Sequence, residues 1–340
     1  MKENYENLNG LRVFAAVGII LGHVRVLGGF VAPGFFFNGI IASTSHLPLF
    51  FMMLSAFSMC CGYYERVKSG KIDLNTFYKR RYQKTWPVFA LLCTLELIAD
   101  RSLPALYEWF ADLTLAFGLL PNHRINVLAG GWFVGLVFVF YMLFPFFVFL
   151  MENKRRAWLV MGTSVVLNLL CLHYFFDSDH MISTFEARSS FIYSFVFFAA
   201  GGILYLYRNE LKAVVKEKKL VVILLTLIAL TVFYLFSCID LMDVLVFGLL
   251  TALGAFSDGP IARALFQNRF VRIMSPVCLE VYLCHVFVFR AIEKLGFVHL
   301  TGNDALNYIV VVTATLIGTA ITAIVLKKAL ELLEKKIRQA

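Results

Sequence analysis

An arginine and a histidine stand in the first apolar segment of the chain, at positions 12 and 23. Eleven residues at about 100° each return to within about 20° of the starting direction, some 16 Å further along a helix. Arg12 and His23 therefore lie on one stripe of a predicted helix, and Gly22 leaves room for a ligand beside the histidine. A cation at one end and a deeper imidazole fit a long ligand with an anionic head and a reactive tip, such as acyl-coenzyme A. The structural alternative is an arginine that reaches the interface and a histidine hydrogen-bonded within a bundle.

A basic cluster at residues 77–87 forms the second group of candidates. Four positive charges fall within six residues, and they include Arg80, Arg81 and Lys84. Arg81 and Lys84 are three residues apart and would share one helix face. Such a pair can bind phosphate groups. The alternative is a cytoplasmic anchor that only sets the orientation of the next span.

Four further ionisable residues lie within or beside apolar segments, where a charge costs about 2.5 to 3.5 kcal/mol. Glu96 falls near the middle of the third segment, where it could orient the first histidine or balance an arginine. His46, near the outer start of the second segment, is placed to meet an arriving acceptor or to bind interfacial water. For His285 a structural hydrogen bond is favoured over catalysis, and Glu280 points about 140° away from it on a helix.

The composition indicates that membrane helices must position these residues. Of 340 residues, 60% are hydrophobic and 16% are charged, whereas soluble proteins carry about 25% charged residues. The 31 Lys and Arg against 22 Asp and Glu fall between apolar runs, which is typical of topology signals and not of a nucleic-acid surface. Cysteine and histidine show no zinc-site spacing, so no metal is expected. We predict one membrane domain over 1–340, with a short cytoplasmic helical tail at 327–340.

Ten apolar segments are long enough to span a bilayer, which takes about 17 to 25 residues. The doubtful segment is 105–121, which carries Glu108 and Asp112. If it does not cross, 24 Lys and Arg lie on one side and six on the other, and the positive-inside rule then places both termini in the cytoplasm. The sequence thus predicts an all-α polytopic bundle, with 105–121 interfacial or re-entrant in the outer loop. The predicted spans are 11–28, 38–63, 85–100, 131–150, 157–176, 190–207, 220–237, 241–257, 276–292 and 306–326.

A series of motifs, in order, resembles the acyltransferase 3 family of integral membrane acyltransferases. The resemblance extends over residues 9 to about 290, and its His-x-Pro-Leu-Phe-Phe motif is similar to that of the polysaccharide-modifying branch. The motifs are Asn9-Gly10-Leu11-Arg12 through Gly22-His23, His46-Leu47-Pro48-Leu49-Phe50-Phe51 continuing to Phe57, the basic cluster ending in Trp86-Pro87, the spacing of Trp132, Tyr141 and Pro145, and Tyr282-Leu283-Cys284-His285.

The resemblance implies transfer of an acyl group, usually acetyl, from cytoplasmic acetyl-CoA to a hydroxyl of a cell-surface polysaccharide or its lipid-linked precursor. The expected location is the bacterial cytoplasmic membrane, with polysaccharide-synthesis proteins as candidate partners. By the same resemblance, His23 is the general base or a covalent relay, and Arg12 acts beside it. The basic cluster, Arg80, Arg81 and Lys84, would hold coenzyme A phosphates or the thioester end. Candidates for contact with the acceptor sugar are His46, Trp132 and Tyr141.

The chain departs from the family pattern in ways that affect these expectations. Val137 and Phe138 stand where many members carry an acid, so Glu96 is the candidate substitute. Lys84 replaces an arginine, which removes bidentate phosphate geometry. Two other functions stay open. One is a transporter or flippase for a lipid-linked sugar, although matching Gly/Pro breaks in the two halves are missing; the other is a non-catalytic scaffold of a polysaccharide-synthesis complex.

Overall fold

A computed structural model gives the fold for residues 5–119, 128, 130–176, 187–235 and 241–339. Within these ranges the regular elements are helices and no strand occurs, so the predicted all-α class is confirmed. The helices are α1 (Asn7–Leu27), α2 (Leu47–Met59), α3 (Glu65–Lys68), α4 (Leu74–Asp100), α5 (Leu103–Leu113), α6 (Gly131–Leu150), α7 (Lys154–Tyr174), α8 (Phe191–Leu206), α9 (Arg208–Glu217), α10 (Lys219–Leu235), α11 (Met242–Phe256), α12 (Pro260–Phe266), α13 (Arg269–Met274), α14 (Cys278–Lys294) and α15 (Asp304–Gln339).

The predicted spans all coincide with helices, but fewer of these helices meet the requirements for crossing a membrane. In the described ranges, six helical stretches are long and apolar enough, or eight if each bent pair is one span. The bent pairs are α8 with α9, at 73°, and α11 with α12, at 112°. Helix α10 has only 17 residues, and α4 begins with the basic cluster. Among the described residues, fewer than ten helices meet these requirements, and the count of ten spans stays a prediction.

Local sequence signals explain where several of the helices begin. Asp73, Ser102 and Asn153 precede α4, α5 and α7, and each side chain accepts a hydrogen bond from a backbone N–H in the first turn. Ser190 and Asn268 do the same for α8 and α13. Such caps satisfy backbone donors that have no partner inside the helix.

The described part of the doubtful segment 105–121, up to residue 119, folds back along α4. Its helix α5 has 11 residues, too few to cross a bilayer that needs about 17 or more. The Trp109 indole N–H donates to the Thr94 hydroxyl, at 3.0 Å. Four residues later, the Leu113 carbonyl accepts from the indole of Trp86, near the start of the predicted third span. Because α5 returns along α4 in this way, the contacts favour the re-entrant alternative over the interfacial one.

Helix α1 lies inside the bundle, in contact with α2, α11, α12, α14 and α15. Small residues permit this close packing. A Cβ atom on Gly18 would lie 2.3 Å from the side chain of Leu47, and one on Gly22 would lie 2.2 Å from the Thr44 hydroxyl. Glycine at helix contacts lets backbones approach closely, as is common in membrane bundles. This packing holds the arginine and histidine of α1 against their neighbours.

Candidate functional site

A cavity of 370 Å³ lies where α1, α4, α6, α14 and the last turns of α15 meet. Its volume falls within the range of about 300 to 1,000 Å³ found for small-molecule sites. Three cationic and three carboxylate side chains line it, together with a group of aromatic residues. The charged residues are Arg12, Lys84, Glu280, Lys327, Glu331 and Glu334, and the aromatic ones are Phe51, Phe133, Phe138, Tyr141 and Tyr282.

The cavity is polar at one end and aromatic at the other. Arg12 and Lys327 come from the first turns of α1 and the late turns of α15. Phe133 and Tyr141 are eight residues apart on α6, or about 12 Å along the helix axis. At the far end, the Tyr282 hydroxyl donates to the carbonyl of Gly130, just before α6 begins, at 2.8 Å. An elongated ligand would therefore place a charged group among the cations and an apolar group near Tyr282.

Two histidines meet beside the aromatic end of the cavity. His23 Nδ1 lies 2.6 Å from His285 Nε2, and the two ring planes differ by only 4°. His285 Nδ1 lies 2.5 Å from the backbone oxygen of Tyr282. His285 is almost fully buried, and His23 is half-buried. The sequence predicts a catalytic role for His23 and favours a structural hydrogen bond for His285, but it does not pair the two residues.

These contacts determine where the protons lie on the neutral pair. A carbonyl oxygen only accepts hydrogen bonds, so His285 Nδ1 carries a proton that it donates to Tyr282. The opposite nitrogen of a neutral imidazole then carries a lone pair, and His285 Nε2 accepts from His23 Nδ1–H. By the same rule, His23 Nε2 carries a lone pair. The hydrogen-bond chain thus holds His23 in the tautomer that a base or a nucleophile requires.

Helices α1 and α14 bring the cavity and the histidine pair together. The two helices run in the same direction. Near their starts, the Cys278 thiol of α14 donates to the Arg12 carbonyl of α1, and further along both helices His285 meets His23. Cys278, Tyr282 and His285 recur at helical spacing on one face of α14. The cavity lining includes Arg12 and Tyr282 but not His23. The Tyr282 ring lies 5.9 Å from that of His285, so this side chain contacts both the cavity and the histidine pair.

Of the three basic residues predicted to bind the donor, only one lines the cavity. Lys84 lines the cavity, whereas Arg80 is exposed. Arg81 donates to the Tyr63 hydroxyl at 2.8 Å. Its guanidinium also lies 5.8 Å from the ring centre of Tyr141, which lines the cavity. Lys84 therefore contributes to the cavity directly, and Arg81 lies behind its aromatic wall.

Glu96 occupies the second of its two predicted roles. Its carboxylate accepts from Arg290 on α14 at 2.5 Å, and Glu96 is 9% exposed. The residue therefore balances an arginine between α4 and α14. The position that it was expected to take beside His23 is held by His285.

A second polar cluster lies at the start of α2. His46 Nδ1 is 2.7 Å from a carboxylate oxygen of Asp243 on α11, and the His46 side chain is 41% exposed while that of Asp243 is 4% exposed. Arg188 donates to the carbonyl of Ser45 at 2.8 Å and lies 5.6 Å from the ring of Trp132. Two residues proposed for the acceptor, His46 and Trp132, thus lie in one region, whereas Tyr141 lines the cavity.

Sequence reasoning missed Asp243 and Lys327 as site residues. Asp243 could have been noticed as an acid inside the predicted span 241–257. Lys327 was assigned to a solvated tail. It lies in the cavity lining instead, where its ammonium group donates to the carbonyl of Pro276 and lies 3.9 Å from Glu280. Nothing in its local sequence separates it from the other tail lysines.

Among the described residues, no cluster of histidine, cysteine and carboxylate side chains is arranged to hold a metal ion. A family model described as an acyltransferase domain matches residues 5–327. No curated protein and no solved structure was found to match the chain.

Proposed function

Because this chain belongs to the acyltransferase 3 family of integral membrane acyltransferases, we propose that it transfers an acetyl group from cytoplasmic acetyl-coenzyme A to a hydroxyl of a cell-surface carbohydrate. The match covers nearly the whole chain, and several helices are long and apolar enough to cross a bilayer. The protein is thus a multi-pass membrane acyltransferase. We propose in addition its donor, its acceptor and its orientation in the membrane.

The observation that carries the proposal is the position of the cavity next to the histidine pair. The cations Arg12, Lys84 and Lys327 line the end formed by the first turns of α1 and the late turns of α15. At the other end, the Tyr282 ring contacts the ring of His285, and the Tyr282 carbonyl accepts a hydrogen bond from His285. A donor with an anionic head and a thioester tip matches this order of groups. We assign the cavity to the acyl arm of the donor, with its thioester directed towards Tyr282.

His23 is the group that acts on the reacting atoms. The acceptor hydroxyl oxygen forms a bond with the thioester carbonyl carbon, the carbon–sulfur bond breaks, and coenzyme A leaves as the thiolate. The hydroxyl proton passes to the lone pair on His23 Nε2, a transfer that contributes roughly 10²- to 10⁴-fold to the rate. His285 is a positioning residue, since it fixes the tautomer of His23 through the 2.6 Å contact. A covalent acyl relay on the same nitrogen is the alternative mechanism.

Movement of Tyr282 is required for this chemistry. Its side chain lines the cavity, and its ring contacts that of His285. Donor binding must therefore displace the Tyr282 ring or bring the acyl carbon past it. The Tyr282 hydroxyl donates to the carbonyl of Gly130, and its ring packs against that of Phe133. Loss of one hydrogen bond is within the binding energy of a ligand.

The acceptor is assigned to the cluster at the start of α2. His46 is positioned by Asp243 and is partly exposed, and the ring of Trp132 offers a flat apolar surface for a sugar. Thr44, two residues before His46, packs against Gly22, the neighbour of His23. The cluster therefore lies at the level of the histidine pair along α1. This side faces outward if the positive-inside rule holds, with both termini in the cytoplasm of a bacterial cell.

The test uses purified full-length protein with acetyl-CoA and a carbohydrate acceptor from the host envelope. His23→Ala and Arg12→Ala are expected to insert normally and to lose ester formation and coenzyme A release. His299→Ala serves as the control, because His299 is exposed outside the site. Full activity of His23→Ala contradicts the mechanism.

A transporter gives a different result in the same preparation. In vesicles, movement of a lipid-linked sugar without consumption of acetyl-CoA would replace the acyltransferase assignment. The matched measurement is the yield of free coenzyme A per ester formed, which the proposed reaction sets at one.

A further inference from the structure

A second cavity of 650 Å³ adjoins the first. None of its side chains acts on the reacting atoms in the proposed mechanism. This cavity lies between the start of α1 and the short helices α12 and α13. Two features show that the cavities are neighbours. Ser275 and Pro276 line both of them, and Asn9 of the second cavity lies three residues before Arg12 of the first, on one face of α1.

The second cavity carries an excess of positive charge. Arg263 and Arg272 line it against a single carboxylate, that of Glu6. Both arginines are exposed, and among the described residues neither side chain makes a hydrogen bond or an ion pair. In the first cavity, by contrast, three cations face three carboxylates. A ligand group with several negative charges is therefore favoured in the second cavity.

Other polar residues of the second cavity are held by the fold. The Asn268 carboxamide caps α13 through the Val271 N–H, at 2.9 Å, and donates to the turn before it. Gln267 donates to Asn7 at 2.8 Å. The cavity is thus a preformed polar wall from which Arg263 and Arg272 project, and guanidinium groups suit phosphates because they donate paired hydrogen bonds.

We infer that this second cavity binds the nucleotide end of the acyl-coenzyme A donor, with Arg263 and Arg272 on its phosphates and the pantetheine arm passing Ser275 and Pro276 into the first cavity. The inference rests on the proposed function. It assigns the two ends of one ligand to two cavities: the charged nucleotide lies in the second cavity and extends to the cationic end of the first, and the uncharged acyl arm continues from there towards Tyr282. It also places the donor on the side where the positive-inside rule puts residues 258–272.

The experiment measures coenzyme A binding to detergent-purified full-length protein by calorimetry, so it needs no acceptor. Arg263→Gln and Arg272→Gln are each expected to raise the dissociation constant about tenfold, which corresponds to about 1.4 kcal/mol. The matched control is Arg269→Gln, because Arg269 is also exposed on α13 but does not line the cavity. It should bind coenzyme A as the unsubstituted protein does.

Two further ligands test the binding of the nucleotide end and of the acyl arm separately. Adenosine 3′,5′-bisphosphate should compete with coenzyme A, and each arginine substitution should weaken this competition about tenfold. S-Acetylpantetheine, which has no nucleotide, should bind both variants and the unsubstituted protein equally. Equal weakening of S-acetylpantetheine and coenzyme A would overturn the inference, since the arginines would then not act on the nucleotide.

Failure of the inference and failure of the proposed function give different results. If the unsubstituted protein binds coenzyme A and both variants bind it within twofold of that value, the second cavity is not the nucleotide site. If the unsubstituted protein does not bind coenzyme A at all, the donor assignment itself is wrong. Gel-filtration profiles that match the unsubstituted protein show that the variants are folded.

Discussion

Replacement of His285 tests whether a buried partner controls the reactivity of His23. The variant His285→Ala removes the acceptor of the 2.6 Å hydrogen bond from His23 Nδ1. Loss of such a partner leaves a buried donor unsatisfied, at a cost of about 1 to 3 kcal/mol. His23 can escape this cost by changing its tautomer or turning its ring, and either change removes the lone pair from the reacting position.

The expected magnitude follows from that cost. At 1.36 kcal/mol per tenfold, His285→Ala should lower kcat by about 5- to 150-fold. His23→Ala should lower it by about 10²- to 10⁴-fold, since it removes the base itself. The KM for acetyl-CoA should stay within twofold in His285→Ala, because His285 does not line the cavity proposed for the acyl arm. His285→Gln offers an amide oxygen to His23 Nδ1 and should retain activity within about tenfold of the unsubstituted enzyme.

The assay follows coenzyme A release with a thiol reagent and radiolabelled acetyl transfer to carbohydrate, in detergent-purified protein. His299→Gln is the matched control, an exposed histidine after α14. Full kcat in His285→Ala would refute the positioning argument. Equal loss in His285→Gln and His285→Ala would also refute it, since the acceptor atom would then be irrelevant.

Three other substitutions test the surroundings of the site. Glu96→Gln should lower stability by about 1 kcal/mol, because Arg290 is 46% exposed and water screens the pair; the melting temperature should fall while kcat stays within twofold, and loss of kcat alone would contradict the structural role. Gly201→Ala places a Cβ atom 2.4 Å from a backbone oxygen of α2 and should cost about 1 to 3 kcal/mol. Gly248→Ala, in the middle of α11, has open space and should leave the melting temperature unchanged or raise it slightly, because alanine favours a helix over glycine. A melting temperature of Gly201→Ala equal to that of Gly248→Ala would show that α2 and α8 move apart without cost. His46→Ala should reduce ester formation on carbohydrate and leave coenzyme A affinity unchanged, and a parallel loss of coenzyme A binding would remove it from the acceptor site.

Charge alone predicted that 105–121 does not cross the membrane, and it left an interfacial and a re-entrant path open. The count of basic residues on either side excluded a crossing, and the structure gives a helix of only 11 residues that returns along α4. Charge distribution is sufficient here because each loop responds to its own basic residues. It cannot indicate which residues of α4 the returning helix contacts.

The residues of α1 illustrate the limit of periodicity. The eleven-residue spacing placed Arg12 and His23 on one stripe, and in the structure both contact α14. Periodicity gives the direction of a side chain around its own helix, but it does not identify the helix that it faces. His285 lies 262 residues from His23 in the sequence, and its pairing required the packing of the whole bundle.

Glu96 and Asp243 show that the sequence can predict that a buried carboxylate has a partner but not which residue the partner is. Burial of a carboxylate requires a partner, and the sequence therefore indicated that Glu96 has one. The partner of Glu96 is Arg290, and that of Asp243 is His46, each on another helix. Neither choice follows from local sequence, because ions at many positions could meet the same requirement.

The amino-acid sequence alone determined that this protein is an all-helical membrane protein, and it indicated which polar side chains need an explanation there. Hydropathy and charge act residue by residue, so they can be read without knowing the fold. Only the tertiary structure decided that His23 meets His285, that Lys327 lines the first cavity and that a second basic cavity adjoins it. These relations depend on which helix faces meet, and helix packing depends on the shape and glycine contacts of the whole bundle.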